Sequence, residues 1–594
     1  MRFLWIKILA CTSLCLTLFA CNKKVAETET KPEPELVAAS DETSQAEEEV
    51  KIIFWNDFHA TLFEIPDKED TTMAIGGLPW FMAAVEAEKE GYLPLILDGG
   101  DQFQGSSLIG DSKGMGMVDI MNSLGIDATV IGNHDFDYGA SPQNPDPTRG
   151  ALYAAMKASN YAWLAANISH DKNLAKEGAL PWPPPELKPY TIIEKGPYRI
   201  AVIGLSTTDT PVTTLREHVI DLVFEPADQA LSRIMPSVVA ENPDYIIVLG
   251  HLTGTPQNEY EKLGCPKFDG ELASILALPQ ETKKHINAIF LGHSHRSFAA
   301  VCDGILIAEN TASGRSYTTV TLKPENKKLS TQVDSLSQKF LTHKAVGSGC
   351  SDEPFPLEAI DVGGMKLKPS QSALSIIEKL DANAKTARCE VIGCAKAPII
   401  RNKTTECPIG NLVAEAMMKV YPKADLAIQN SGGLRSDILK NTLHREDVEA
   451  IMPFENYIYL IEMPGADLLS ILKVATSGKH GLFQVAGLRY IFEIDCNNPE
   501  DINKDGKLED WEHNCLKERS LFVAKKRLNP KKKYKVAINN FLFDGGDSLS
   551  GLFDRSKIID KGPLIKTALI DYIQKSKTCI DADTLLDDRV MIAH

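Results

Sequence analysis

Five short apolar runs, each leading into a cluster of metal-ligating residue types, constrain this chain more than any other feature. The runs cover 51–55, 93–97, 128–131, 245–249 and 288–291. They lead into Asp57-Phe58-His59, Gly100-Asp101, Gly132-Asn133-His134-Asp135, the lone His251, and Gly292-His293-Ser294-His295. One Asp-x-His pair after a strand is ordinarily a polar loop. Five such clusters in order are not explained by loops that merely satisfy their own polar groups. Runs that are almost continuously apolar and bounded by Gly, Asn and Asp predict strands buried on both faces, hence a sheet covered by helices. Sites in such sheets form beyond the carboxyl ends of strands, where sequence-distant loops converge. The i, i+2 spacing of Asp57 with His59, and of His293 with His295, predicts side chains projecting to one side of an extended segment.

The residue types define the chemistry. Asp101 is placed to bridge two metals, with Asp57, His59 and His295 completing one coordination sphere and Asn133, His251 and His293 the other. Mixed imidazole, carboxylate and amide ligands suit zinc, manganese or iron rather than calcium. Two such ions bind a phosphoryl oxygen, activate water and stabilise an in-line displacement. His134 reads as a cation facing the phosphoryl group, its ring held by Asp137.

The chain has 594 residues, enough for two or three domains, and a formal charge of −17. That charge excludes the basic stripe of a duplex nucleic-acid binder, so an anionic substrate must be attracted locally. Arg2 and Lys7 precede an apolar stretch from Ile8 to Phe19, so residues 1–20 read as a signal peptide, too short for a comfortable membrane span. Leu18-Phe19-Ala20-Cys21 resembles a bacterial lipobox, which makes Cys21 the expected lipidated residue and the membrane a partner through that anchor. Residues 21–49 are polar and read as a disordered tether. The expected location is the periplasmic face of the outer membrane or the cell surface. Nine of the 12 cysteines lie beyond this leader. Export predicts disulfides, with Cys496–Cys515 and Cys265–Cys302 the preferred pairs and an odd cysteine left over.

The metal motifs and the strand-like stretches that follow fill 50–322. Residues 323–388 read as a linker without clear periodicity, ending in a helix from Ser372 to Arg388 with Leu374, Ile377, Leu380 and Ala384 on one face. Residues 389–594 form a second domain, with a helix at Leu412–Val420 and strands such as Tyr457–Ile461 and Tyr534–Ile538. Within it, Asp501, Asn503, Asp505, Lys507, Glu509 and Glu512 fall at positions one, three, five, seven, nine and twelve of a calcium loop. Gly506 supplies the turn at six and Leu508 an apolar anchor at eight. A single structural calcium ion is expected there.

The segments Trp55-Asn56-Asp57-Phe58-His59, Asp98-Gly99-Gly100-Asp101-Gln102-Phe103-Gln104-Gly105, Gly132-Asn133-His134-Asp135-Phe136-Asp137 and Gly292-His293-Ser294-His295 resemble the calcineurin-like catalytic domain of bacterial and animal 5'-nucleotidases. Ile409-Gly410-Asn411-Leu412, Asn430-Ser431-Gly432-Gly433-Leu434-Arg435, Pro453-Phe454 and the stretch from Asn540-Phe541 to Gly546-Asp547 resemble that family's substrate domain. The implied fold is α/β: an N-terminal dinuclear metallophosphoesterase sandwich, a linker helix and a C-terminal α+β domain. The resemblance aligns the seven ligands with the family's two-metal site, and His134 with Asp137 with its catalytic dyad. It matches Phe454 and Phe541 to the rings that sandwich a nucleobase, Asp547 to an acid near the nucleoside, and Asn430 and Arg435 to groups holding substrate. Lys419 and Lys423 stand where relatives often place arginines, which would remove bidentate phosphate contacts there. The implied activity is hydrolysis of nucleotide phosphate esters to nucleoside and phosphate outside the cytoplasm. A 2',3'-cyclic phosphodiesterase or a UDP-sugar hydrolase is the alternative within the family, and a non-catalytic binding lipoprotein the alternative outside it. The partner implied is a nucleotide or nucleotide sugar, and no protein partner is legible.

Overall fold

A computed structural model describes residues 50–593, apart from 262–263, 323–335, 347–348, 351–354, 356–357, 440, 495, 503–505 and 510. The leader, the tether and Cys21 lie outside the described residues, as do Asn503 and Asp505 of the calcium-loop motif.

The apolar runs fold as two stacked sheets. The seven-stranded sheet runs Leu336–Phe340, Ser316–Leu322, Val50–Trp55, Leu95–Asp98, Ala128–Val130, Ala162–Leu164, Leu187–Lys188. The six-stranded sheet runs Phe298–Cys302, Ile305–Glu309, Ala288–Gly292, Tyr245–His251, Tyr198–Ser206, Tyr190–Lys195. The two-residue period of a strand decides where each side chain goes. Ile52 and Phe54 enter the core between the sheets with Leu97, Val202, Leu249 and Phe290, and Phe54 stacks on Phe290 at 4.8 Å. Ile53 and Trp55 point the other way, into a second core under the helices Leu78–Lys89 and Met115–Leu124. Val248 and Ile289 bury against the helix Ala227–Ala240 on the outer face of the second sheet. Both faces of both sheets are therefore covered, as continuous apolar runs require.

The stretch expected to be an unpatterned linker is partly structured. Leu336–Phe340 pairs with Ser316–Leu322 as the edge of the first sheet, and Thr342–Lys344, Ile360–Val362 and Met365–Leu367 form short strands. Three- to five-residue edge strands of mixed polarity carry too few alternations to show a period. The helix Gln371–Asp381 follows, and Ile377, Leu380 and Ala384 pack on the first domain's core.

Beyond it, a five-stranded sheet runs Phe483–Ala486, Leu426–Asn430, Lys533–Asn539, Tyr457–Pro464, Lys557–Leu564. The helices Pro408–Val420 and Ile565–Gln574 bury one face and Gly465–Thr476 the other. Disulfides join Cys265 to Cys302, Cys350 to Cys389, Cys394 to Cys579 and Cys496 to Cys515, and Cys407 is the buried free thiol. Both preferred pairings are among them. No helix among the described residues is long and apolar enough to cross a membrane.

Candidate active site

All five ligand clusters lie at the carboxyl ends of strands. Val50–Trp55 runs parallel to Leu95–Asp98, and Tyr245–His251 runs parallel to Ala288–Gly292, so their exit loops converge between the sheets. The loops are not extended. Asp57, His59, Asp101, His293 and His295 all have positive φ, between 50° and 92°. Asp57 and His59 do come together, with His59 Nε2 3.7 Å from Asp57 Oδ1, but through left-handed turns and not strand pleat, whereas His293 and His295 turn to different partners. Such conformations are costly for residues with a Cβ and persist only where neighbours hold them. Here Asp57 N–H donates to Gly100 O and His59 N–H to Asp101 O, both at 3.0 Å. The Asp135 carboxylate accepts from the backbone of Gly132, Gln102 and Asp101 at 2.9, 3.1 and 3.2 Å, knitting two loops together. Gly132 is required by proximity, since a Cβ there would collide with Asp101 Oδ1.

The predicted ligands come together in two sets. His295 Nε2 lies 3.1 Å from Asp57 Oδ1 and 3.1 Å from His59 Nε2. Asn133 Oδ1 lies 3.0 Å from His293 Nδ1 and 3.2 Å from His251 Nε2. Asp101 Oδ2 stands between them, 3.2 Å from His251 Nε2 and 3.8 Å from His59 Nε2. His251 Nδ1–H donates to Gly99 O at 2.9 Å, which turns Nε2 toward the centre. Asn56 Nδ2 donates to Asp57 Oδ2 at 2.7 Å and to Asn310 O at 3.0 Å, fixing that carboxylate.

The donor set fits divalent metal. Asp57 Oδ1 is buried, and among the described residues what faces it is ligand imidazole, His295 Nε2 at 3.1 Å and His59 Nε2 at 3.7 Å. Burial works against ionising Asp101, yet the imidazoles of His251, His134 and His59 hold its pKa well below the usual carboxylate range. Asp57 is likewise held low against its burial, by His295 and His251. Burial also disfavours a charged His251, but Asp101 overrides it and lifts the imidazole to about 10. Two buried carboxylates that stay anionic against desolvation are a cluster built for a cation.

His134 opens the single turn His134–Phe136. This places Asp137 three residues on, where its Oδ2 accepts from His134 Nδ1 at 2.7 Å. Gln104 Nε2 donates to the same oxygen at 3.0 Å and Thr214 Oγ1 to the other at 2.7 Å, so the carboxylate cannot turn away.

The C-terminal sheet delivers its residues in the same way. Asn430 ends the strand Leu426–Asn430, and Phe541 lies just after the parallel strand Lys533–Asn539. Gly546 lies under the Phe541 ring, where a Cβ would clash with it. Asp547 N–H donates to Val212 O of the first domain at 2.9 Å. Arg435 stacks over Phe454 at 5.7 Å, and Phe454 in turn lies 5.6 Å from the His134 ring. Both phenylalanines are half-buried and line the same cavity, and Phe541 also packs against the C-terminal core. One cavity of about 840 Å³ is lined by Asp101, His134, Arg435, Phe454, Phe541 and Asp547 together.

Several contributors carry no sequence signal. Lys403 lines this cavity, and burial together with Arg435 and Arg401 pushes its pKa down to about 8. Thr214 belongs to no motif. Asn56 and Gln104 sit inside motifs, where their polarity beside ligands is the available clue. Lys419 and Lys423, which stand where relatives often place arginines, are exposed at and just past the end of the helix Pro408–Val420 and do not line the cavity. The expected anchor Leu508 is 61% exposed, because Ile502 takes the buried apolar position of that loop and packs in the C-terminal core.

Comparison with known proteins accords with this geometry. Residues 50–297 match the calcineurin-like phosphoesterase family and residues 385–554 the 5'-nucleotidase C-terminal domain. The 5'-nucleotidase of Bos taurus is 25% identical over 564 residues, spanning 90% of each chain. The cell wall protein Lmo0130 of Listeria monocytogenes is 23% identical over 576 residues, 89% of this chain and 67% of its own. A 5'-nucleotidase precursor from Thermus thermophilus shares the fold at a TM-score of 0.70 and 20% identity, covering 92% of this chain and 99% of its own. The chain is a phosphoester hydrolase of the 5'-nucleotidase family, with a metallophosphoesterase domain followed by a 5'-nucleotidase C-terminal domain.

Proposed function

We propose that this enzyme hydrolyses nucleotide phosphate esters, releasing nucleoside and phosphate, outside the cytoplasm. The observation that carries the reading is the shared cavity, in which the aromatic and cationic groups of the second domain face the ligand cluster and dyad of the first. Asp57, His59 and His295 would hold one divalent ion and Asn133, His251 and His293 the other, with Asp101 between them. Zinc or manganese matches this donor set best. When bound, the pair polarises the phosphoryl group and lowers the pKa of the attacking water. Arg435 and Lys403 offset phosphate charge. His134, oriented by Asp137, stabilises the charge that develops as the ester bond breaks. Phe454 and Phe541 stack on the base, and Asn430 and Asp547 hold the nucleoside.

A nucleoside diphosphate ester, such as a nucleotide sugar, is the second reading. Burial and the charge of Arg401 lower the pKa of Arg435, and burial with Arg435 and Arg401 lowers that of Lys403. Arg435 and Lys403 both line the cavity, so a second phosphate would find counter-charge there. Assaying the metal-replete soluble form, lacking residues 1–21, on nucleoside mono-, di- and cyclic phosphates and on a nucleotide sugar, with sugar phosphate read beside free phosphate, tests both. Release of phosphate from none of them rejects the nucleotidase reading.

Similarity to a cell wall protein and the four disulfides support export, and the Cys21 motif supports a lipid anchor. A structural calcium ion at 501–512, held by Asp501, Asn503, Asp505, Lys507 through its carbonyl and Glu512, is supported by three features. Among the described residues Asp501 Oδ1 has no hydrogen-bond partner, Gly506 adopts φ 85° and the Cys496–Cys515 bridge closes the loop.

A further inference from the structure

His480 belongs to none of the motifs that define the site, yet it lines the same cavity, with its side chain 10% exposed. It sits on a short loop after the helix Gly465–Thr476, between Gly478 and Gly481, both in left-handed conformation. Leu482 N–H donates to Lys403 O at 2.8 Å, so the loop is tied to the cavity wall. On one side His480 Nε2 bonds to Ser548 Oγ at 2.8 Å. On the other, its Nδ1 stands 4.0 Å from Asp547 Oδ1, beyond hydrogen-bond reach.

Asp547 is the second half of the arrangement. It is 7% exposed, receives the Asn430 carboxamide, and keeps Oδ2 without any hydrogen-bond partner among the described residues. A buried carboxylate oxygen left unpaired is costly unless a ligand supplies a donor. Burial raises this acid to about 7. Burial and the neighbouring Lys479 lower the imidazole to about 4, which leaves His480 neutral at pH 7 with one N–H. When Nε2 accepts from the Ser548 hydroxyl, that N–H is on Nδ1 and faces Asp547.

We propose that His480 is a specificity-determining residue of the nucleotidase reaction: beside Asp547, the acid already assigned to the nucleoside, it supplies the second contact that reads a ribose hydroxyl. A hydroxyl group both donates and accepts, so one hydroxyl of the ribose pair fills the 4.0 Å gap, accepting from Nδ1–H and donating to Asp547 Oδ1. The adjacent hydroxyl donates to the unpaired Oδ2. Phe454 and Phe541 offer only faces, which suit the base. The polar edge formed by His480, Asp547 and Ser548 is where a sugar fits. A nucleotide missing either hydroxyl leaves a buried group unpaired, and sites of this kind discriminate strongly for that reason.

The inference rests on the nucleotidase reading, and one kinetic comparison separates them. The metal-replete full chain is assayed on a nucleoside 5'-monophosphate, its 2'-deoxy and 3'-deoxy counterparts with the same base, and p-nitrophenyl phosphate. The parent is expected to favour the ribonucleotide by about tenfold or more in kcat/KM. His480→Ala should bring that ratio close to one, and His480→Asn, which keeps an N–H donor near Nδ1, should retain much of it. The ratio is internal to each variant, so partial loss of folded protein cancels. A parent that cleaves p-nitrophenyl phosphate but none of the nucleotides overturns the nucleotidase reading. A parent that cleaves all three nucleotides, with the same discrimination before and after His480→Ala, overturns the role of His480 alone.

Discussion

The two halves of this molecule build their parts of the cavity with the same device and to different tolerances. Each projects residues from the carboxyl ends of parallel strands, although Phe454 enters at the amino end of the antiparallel strand Tyr457–Pro464. In the first half those residues are locked: five ligands in left-handed turns, the Asp137 carboxylate bonded at both oxygens, and loops cross-bonded through Asp135. In the second half Phe454, Phe541 and Arg435 are half-buried and meet the cavity through ring faces and a flexible side chain. Chemistry demands sub-ångström placement of a nucleophile and a leaving group, whereas stacking on a base tolerates displacement within the ring plane. Substitutions in the first half should therefore damage turnover, and those in the second should alter which substrate is preferred.

The sharpest way to break this division is His134→Ala. Turnover on nucleoside monophosphates is expected to fall by about 10³-fold, with both metals retained by elemental analysis. Loss of metal from that variant, or near-parental turnover, would move His134 out of the dyad. Asn56→Ala probes the locking itself. Freed of its 2.7 Å bond from Asn56, Asp57 should bind metal about 10- to 100-fold more weakly, as read by metal titration of activity. Unchanged affinity would mean that the backbone turns alone hold the ligand.

The smallest expected effect concerns the calcium loop at 501–512, whose Trp511 ring lies 5.0 Å from the cavity-lining Lys479. Calcium at a hundredfold excess over its dissociation constant should stabilise the protein by about 2.7 kcal/mol, read as a rise in Tm. In Asp501→Ala/Asp505→Ala protein, with the catalytic metals kept saturated, that rise should vanish. An equal rise in parent and variant would place calcium elsewhere.

The first half is more legible in the sequence than the second. A ligand that directly follows a buried strand advertises itself, because the apolar run and the polar cluster are adjacent; Asp57, Asp101, Asn133, His251 and His293 can be read that way. What supports them is not adjacent. Thr214 reaches Asp137 across 77 residues, and Lys403 and His480 enter the cavity from loops without a motif. The strands between Leu336 and Leu367 escape a sequence reading because edge hairpins of mixed polarity look like linker.

On the proposed reading, base recognition and phosphoryl chemistry meet in one cavity but come from different halves. The most direct test is the ratio of kcat/KM for a nucleoside monophosphate to that for p-nitrophenyl phosphate, in the parent and in Phe454→Ala/Phe541→Ala protein of unchanged Tm. Stacking is worth about 1–3 kcal/mol per base. The ratio should therefore fall by at least about fivefold on removing both rings, mostly through the nucleotide, since the small ester has no nucleobase to lose. Equal loss on both substrates would return the two rings to a structural role and contradict this division of labour.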